Sequence, residues 1–507
     1  MRQRGRFAFT STISFALLAL LTPVAHAANV HGPKVDDRVA LAASAGGPSA
    51  QLPVIVFGTS AVARDTSLRV RQAFGLAFAG TVESDQLDAL AADPQVAYIA
   101  PNVAVAPLAQ ADRTDGGRGT NNGGKGKGLT YPKLAALYPT IDDAPAAWEK
   151  GYTGAGVGIA VVDSGVTGGT LGGRLIAKVG PNNGSDKYGH GTLVAHFAAG
   201  DASGEYVGIA PQANVIAVSV DRPDGTYTSD VLAALLWVLE NKSTYNIRVV
   251  NLSLTETTPS SYDSSVLDTA VELLWRSGVV VVTSAGNLGP GSAVFAPAND
   301  PFVISVGATD ANGTTDPADD TLAPWSTWGT TLDGFAKPEL VAPGRLVAGY
   351  LPEGTPLGQE APTQNWVQDS IVKISGTSFS APQVAGAAAV LLQQHSDWTP
   401  DQIKAVLALT GRPQQGSTAP ALDLGAATSY HGNPPPANGG IQYSSFGLPQ
   451  WVYSLLSGAT WLHNSWNADS WNHNSWNAAD WDHNSWNTDG WDHNSWNHNS
   501  WNDGGWD

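Results

Sequence analysis

Four polar groups scattered over more than two hundred residues have the types needed for acyl transfer. Asp163 stands in GIAVVDSGV, His190 in YGHGTLVAH, Asn287 closes VVVVTSAGN, and SGTSFSAP (375–382) offers Ser375, Thr377, Ser378 and Ser380. A neutral serine attacks a carbonyl poorly; it needs a base, a group that orients the base, and hydrogen-bond donors for the oxyanion. Asp163 ends an apolar strand-like run, the place where α/β proteins display functional groups. His190 lies between two glycines that admit close approach and just ahead of a helix-like segment. Asn287 carries an amide donor at another strand end. Ser378 precedes the run PQVAGAAAVLL, so its N–H falls among the unpaired donors of a helix N-terminus, where negative charge is favoured. Pro382 removes one backbone donor near that start. The hydroxyls alone do not say which of them attacks.

The elements that must position these groups follow from apolar patterning. From about 140 to 430, short Val/Ile-rich runs (VGIAVVD, NVIAVSV, RVVNLSL, VVVVTSAG, FVISVG) alternate with longer helical patterns (VLAALLWVLEN, SVLDTAVELLWRSG, SAPQVAGAAAVLLQQH). Continuous apolar strands punctuated by helices predict an α/β fold, a parallel sheet with helices on both faces. In WTPDQIKAVLAL, Thr399 caps a helix, Pro400 suits its first turn, and Gln402 completes a capping box. Residues 50–107 read as a separate small α+β unit. LPVIVFG and PQVAYIAPNVAV are its strands, and VRQAFG and SDQLDALAAD are helix-like. A Gly/Asn-rich linker follows at 108–139, a Pro/Gly/Ser linker at 431–456, and a Trp/Asn-rich repeat at 457–507.

Composition sets the limits. The chain has 507 residues, no cysteine and a formal net charge of −18, so neither disulfides nor thiolate metal sites hold it together and nucleic acid is excluded as a partner. MRQRGRF, the apolar FAFTSTISFALLALL and the small-residue end Ala25-His26-Ala27 have the layout of a secretory signal peptide, 1–27. No later run is long and apolar enough for a membrane span. An exported, cysteine-free product fits a secreted, extracellular or cell-surface protein of a bacterium. In the tail, Trp recurs every five residues from Trp461 to Trp506, a period matching neither helix nor strand. Its histidines (His463, His473, His483, His493, His498) stand among Asn and Asp, so weak metal binding, carbohydrate or cell-wall binding through Trp faces, a stacked repeat and an unfolded extension all stay open. A C-terminal attachment or association segment is preferred, with a cell-wall or polysaccharide surface as one candidate partner.

The ordered set VVDSG, GHGT, SAGN and SGTSFSAP resembles the signature motifs of the subtilisin-like serine peptidases, the subtilases. The resemblance implies Ser378 as nucleophile, His190 as general base and then acid, Asp163 as the group orienting the imidazole, and Asn287 with the Ser378 N–H as oxyanion hole. It further implies an extended protein or peptide substrate paired with Ser253, Leu254 and Thr255, with Ser284, Ala285 and Gly286 lining an uncharged pocket suited to large apolar side chains. Residues 28–107, with a core at about 50–107, resemble a subtilase propeptide whose end lies in the cleft, with cleavage between Ala106 and about Thr140. The implied product is a secreted serine endopeptidase made as a self-processed precursor. No cofactor is required and no metal ligand is assigned; calcium stays open, with no residues assigned to it. Departures from the family pattern are Leu193 and His196 within GHGTLVAH, the latter read as a helix-face histidine, and Thr255 where glycine is usual. A rival reading makes the peptidase fold an inactive scaffold for a surface-binding Trp/Asn repeat. An α/β-hydrolase esterase is disfavoured, since Ser would precede Asp and His there.

Overall fold

Runs such as GIAVVD and VVVTS have no polar face to turn to water, so they fold only where both sides are covered. The computed structural model describes residues 34–107 and 134–444, apart from 60, 63, 64, 202, 203 and 353. The expected signal peptide, most of the Gly/Asn-rich linker and the Trp/Asn tail lie outside the described residues.

The N-terminal unit begins with α1 (Asp37–Gly46) and continues through β1 (Gln51–Gly58), β2 (Leu68–Phe74), β3 (Ala77–Glu83), α2 (Leu87–Ala92), β4 (Val96–Pro101) and β5 (Val105–Pro107). Its four-stranded sheet has the order β2-β3-β1-β4, with antiparallel neighbours. VRQAFG, expected to be helix-like, is strand β2. Phe74 pairs with Ala77 across a tight turn at Gly75, whose φ of 56° suits glycine, and the hairpin outweighs the propensity of so short a segment. LPVIVFG is apolar because from Val54 onward β1 is buried on both faces. Val54 and Val56 join Leu87, Leu90 and Ile99 in the unit's own core, while Ile55, Phe57, Tyr98 and Ala100 belong to the large core of the rest of the chain. The unit is thus packed against the body as one of its layers.

The body supplies α3 (Tyr138–Ile141), α4 (Ala144–Glu149), β6 (Gly158–Asp163), β7 (Leu175–Val179), α5 (His190–Ala199), β8 (Asn214–Ser219), α6 (Thr228–Asn241), β9 (Ile247–Leu252), β10 (Leu254–Glu256), α7 (Val266–Arg276), β11 (Val280–Ser284) and β12 (Ile304–Asp310). The short β13 (Thr321–Leu322), β14 (Gly329–Thr330) and β15 (Ala336–Lys337) lead to β16 (Leu340–Arg345) and β17 (Val347–Tyr350). An excursion through α8 (Pro356–Glu360), β18 (Trp366–Gln368) and β19 (Ile371–Ile374) precedes α9 (Thr377–Gln394), α10 (Pro400–Thr410) and α11 (Leu424–Ala427). The central sheet has eight strands in the order β13-β12-β11-β9-β6-β8-β7, with β16 also on β12. Its pairs are parallel except β12 with β13. Every residue of β6 and β11 is buried, which requires cover on both faces; α5 packs with α9 and α6 with α7 to provide it. α10 has the expected capping box between Thr399 and Gln402.

The body exceeds the expected 140–430 at both ends. Ala136 and Tyr138 are buried in its core. Residues 431–444, expected as linker, dock onto it: the Tyr443 ring stacks on Phe302 with centroids 4.0 Å apart, and the Ser444 N–H donates to both oxygens of Glu272. Among the described residues no helix is long and apolar enough to cross a membrane.

Candidate active site

Parallel strands deliver their carboxyl ends to one edge, and the helices that follow start there. Asp163 is the last residue of β6 and His190 the first of α5; Ser378 is the second residue of α9, and Asn287 follows shortly after β11. Helix α5 packs along α9, which brings the histidine and serine turns together; the His190 ring lies 5.4 Å from the ring of Phe379.

Asp163 and His190 are in direct contact. The Nδ1–H of His190 donates to Asp163 Oδ1 at 2.8 Å, and the Ser164 N–H reaches the same oxygen at 2.7 Å. Asp163 and His190 are both buried, so the carboxylate fixes the tautomer and leaves the Nε2 lone pair for acid–base work. Nε2 has no hydrogen-bond partner among the described residues. The Ser378 hydroxyl donates instead to the Ser253 carbonyl, at 3.2 Å. The Ser253 hydroxyl in turn donates to the Ser378 carbonyl at 2.8 Å, and this exchange staples the first turn of α9 to the segment between β9 and β10.

The four hydroxyls of SGTSFSAP separate by partner. Ser375 Oγ accepts from the Leu346 N–H and Ser380 Oγ donates to the Ala342 carbonyl, so both tie the loop to neighbouring chain. Thr377, whose part is not evident from sequence, holds the asparagine: its N–H and its hydroxyl donate to Asn287 Oδ1 at 3.1 and 3.0 Å. That fixes which end of the amide faces Thr377 and turns Nδ2 the other way. Thr377 Oγ1 also accepts from the Gly286 N–H at 3.2 Å. Only its place beside Ser378 in the motif hinted at such a part.

Ser284 and Ala285 are buried, and Gly286 has a φ of 114° that favours glycine; a Cβ there would stand 3.0 Å from Thr327 Oγ1. None of these three residues carries a charge.

The edge at Leu254–Thr255 is occupied. β5 pairs antiparallel with β10 in the register Val105 to Glu256, Ala106 to Thr255 and Pro107 to Leu254. On its other side the Val105 N–H donates to the Thr226 carbonyl and the Thr228 N–H to the Val103 carbonyl, so residues 103–107 lie between two extended segments of the body. Thr255 does not obstruct this pairing, because its hydroxyl points to the Ala296 carbonyl at 3.2 Å. Three further contacts, none of them evident from sequence, lock the unit down. Asn102 Oδ1 accepts from the Ser229 N–H in the first turn of α6. Arg71 reaches Asp224 and the buried Asp230 at 2.9 and 3.1 Å. Arg38 donates to the Ser264 carbonyl at 3.0 Å. Arg71 is free to do so because β2 is bulged between Val70 and Gln72.

His196 is separate from this chemistry. It is buried six residues along α5, its Nδ1 lies 3.2 Å from Thr170 Oγ1, and burial pushes its pKa down to about 4. Among the described residues no cluster of three or more His, Cys, Asp or Glu is arranged to hold a metal ion.

Residues 154–426 match the Subtilase family. The chain is 35% identical to serine protease AprX of Bacillus subtilis over 54% of its own length and 66% of that protein's. It is 34% identical to subtilisin E of the same species over 52% and 62%, so it spans just under two thirds of the length of these two relatives. Against subtilisin Savinase of Lederbergia lenta the identity is 35% over 52% of this chain and 85% of the relative. Among solved structures, fervidolysin from Fervidobacterium pennivorans, described as a keratinolytic enzyme related to subtilisin, superposes with a TM-score of 0.58 at 23% identity. That superposition covers 76% of this chain and 62% of fervidolysin, and it shows the shared fold. With more than half of its residues inside the family match and its motifs in the family order at one edge of a subtilisin-like sheet, this chain belongs to the subtilase family of serine peptidases.

Proposed function

We propose that the chain is the precursor of a secreted serine endopeptidase, which hydrolyses protein and peptide bonds through an acyl-enzyme on Ser378 and removes its own N-terminal unit. The observation that supports this furthest is the extended strand Val105–Pro107 paired on Leu254–Glu256, beside the hydrogen-bonded Asp163 and His190. A polypeptide of this chain lies along the edge as a substrate would.

The chemistry follows from the contacts. Rotation of the Ser378 hydroxyl away from the Ser253 carbonyl aims its proton at Nε2 of His190. As Oγ attacks, the imidazole becomes cationic and is stabilised by the ionised Asp163 through Nδ1–H. The oxyanion receives the Ser378 N–H, in the first turn of α9, and the Asn287 amide that Thr377 orients. His190 returns the proton to the leaving amine, and water repeats the cycle on the ester. The uncharged wall at Ser284–Gly286 favours a large apolar side chain before the scissile bond.

The register supports a first cut soon after β5. Pro107 pairs with Leu254, and the residue before Leu254, Ser253, has its carbonyl 3.2 Å from Ser378 Oγ. The first cut is therefore expected beyond Pro107, between it and about Thr140. Mass spectrometry of the secreted wild type beside Ser378→Ala tests this. The wild type should begin within the linker beyond Pro107, while the variant keeps the unit. Equal shortening of both would refute self-processing.

A further inference from the structure

An imidazole can relay a proton only if the turn carrying it is held still, and helix α5 has an unusual start. Its N-cap is Gly189, which has no side chain to accept the orphaned N–H groups of the first turn. A side chain would not fit there: a Cβ on Gly189 would stand 2.7 Å from Leu351 Cδ1, and one on Gly191 would stand 2.2 Å from the Gly165 carbonyl oxygen. The cap comes from elsewhere. Asp186, four residues before His190 and buried, accepts the Gly189 N–H at 2.7 Å and the Tyr188 N–H at 3.0 Å on Oδ1. Its Oδ2 accepts the Thr192 N–H at 2.8 Å and the Thr192 hydroxyl at 2.6 Å. A further first-turn donor, the Gly191 N–H, goes to Ser164 Oγ at 2.9 Å, and the Ser164 hydroxyl donates to Asp186 Oδ1 at 2.9 Å.

These bonds form a closed clasp. Ser164 follows Asp163, the residue that orients the imidazole; Gly189 and Thr192 flank His190; and Asp186 joins the two sides. We propose that Asp186 is a positioning residue for His190, acting through Ser164 to keep the imidazole turn seated on the end of β6, so that Nδ1 stays on Asp163 and Nε2 stays aimed at the serine turn. This rests on His190 serving as the base. Asp186 does not touch the reacting atoms. Its part is to satisfy the backbone donors on both sides of the histidine with one carboxylate, which an amide cannot do because one of its ends donates rather than accepts.

The test uses the full chain with Asp186→Asn, Ser164→Ala and the pair combined. Each is matured, counted by fluorophosphonate titration of Ser378, and assayed on a peptide amide well below its melting temperature. Displacement of the base lowers kcat rather than substrate binding. The expected result is a fall in kcat of about 10–100-fold for Asp186→Asn and about 3–10-fold for Ser164→Ala, with KM within about twofold. The combined variant should fall no further than Asp186→Asn, since both changes open one clasp. Per titrated site, a kcat within about twofold of wild type alongside a lowered Tm would overturn the proposal, leaving Asp186 a loop-stabilising residue; so would a rise in KM at constant kcat. If Asp186→Asn does not mature, Ser164→Ala decides alone, an unchanged kcat overturning the proposal. A wild type that fails to react with the fluorophosphonate is a different failure and would remove the catalytic reading instead.

Discussion

Thr377 and Asn287 show how a hydroxyl-rich loop can fix the orientation of a single amide. Both donors of Thr377 end on Asn287 Oδ1, so the amide cannot turn over without losing two bonds. Asn287→Ala should lower kcat by about 10²–10³ with little change in KM, the magnitude typical of removing one oxyanion donor, measured by steady-state hydrolysis of a peptide amide. Thr377→Val should have the same sign and a smaller size, since it loosens the donor without deleting it. His196 gives a prediction about pH. Its folded pKa of about 4 lies below the ordinary value of 6.5, so the unfolded chain takes up the proton first on acidification. The stability tied to the neutral imidazole is fully present above pH 6.5 and is lost as pH falls toward 4, by about 3 kcal/mol in all. Thermal melts at pH 7.5 and pH 4.5 in the Ser378→Ala background should show a smaller acid loss in His196→Gln than in its parent.

At the scale of elements, the decisive object is the three-residue strand β5, which is too short to be stable alone and is held by its neighbours on both sides. Besides the apolar face it buries in the body's core, its unit makes polar contacts at and just before the start of α6: Asn102 on the Ser229 N–H, and Arg71 on Asp224 and Asp230. Asp230 is buried and is also held by Arg222 at 2.5 Å, so its pair with Arg71 is less screened than a surface ion pair. Arg71→Ala should therefore weaken retention of the cleaved unit. The interval between cleavage, followed on gels, and the appearance of peptidase activity should shorten, whereas Arg69→Ala, whose partner Glu83 lies within the unit, should leave it unchanged. An unchanged interval in Arg71→Ala would mean that this ion pair does not govern release.

For the whole molecule, residues 427–444, beyond the family match, are part of the fold. Residues 431–444 run from α11 across the body to α7. Asn438 Nδ2 donates to Asp401 Oδ1 at 2.8 Å, which also accepts from Trp275 Nε1. Tyr443 lies between the Phe302 ring and the Arg276 guanidinium, 4.9 Å from its centroid. An aromatic pair of this kind contributes about 0.5–1.5 kcal/mol beyond area burial. Tyr443→Ala should lower the Tm of the mature protein by a few degrees without changing kcat, by calorimetry and the same peptide assay. Truncation after residue 430 should cost more, because it also removes the Ser444 bonds to Glu272.

The order of Val/Ile runs and helical patterns was enough to imply a covered parallel sheet, because strands buried on both faces leave no room for polar residues. The motifs around Asp163, His190, Asn287 and Ser378 were legible for a related reason: glycines and strand ends mark where a side chain can be displayed. Other features depended on partners far along the chain. VRQAFG became a strand because a hairpin neighbour offered it hydrogen bonds, and 431–444 became part of the body because Phe302, Glu272 and Asp401 were there to receive it. The parts of Thr377 and Asp186 were equally hidden, since a hydroxyl or a carboxylate carries no label for the donor it will meet. Local pattern determined which elements form and where functional groups are shown; only the tertiary structure decided which atoms meet, because a hydrogen bond spanning dozens of residues is specified by the fold and not by either neighbourhood alone.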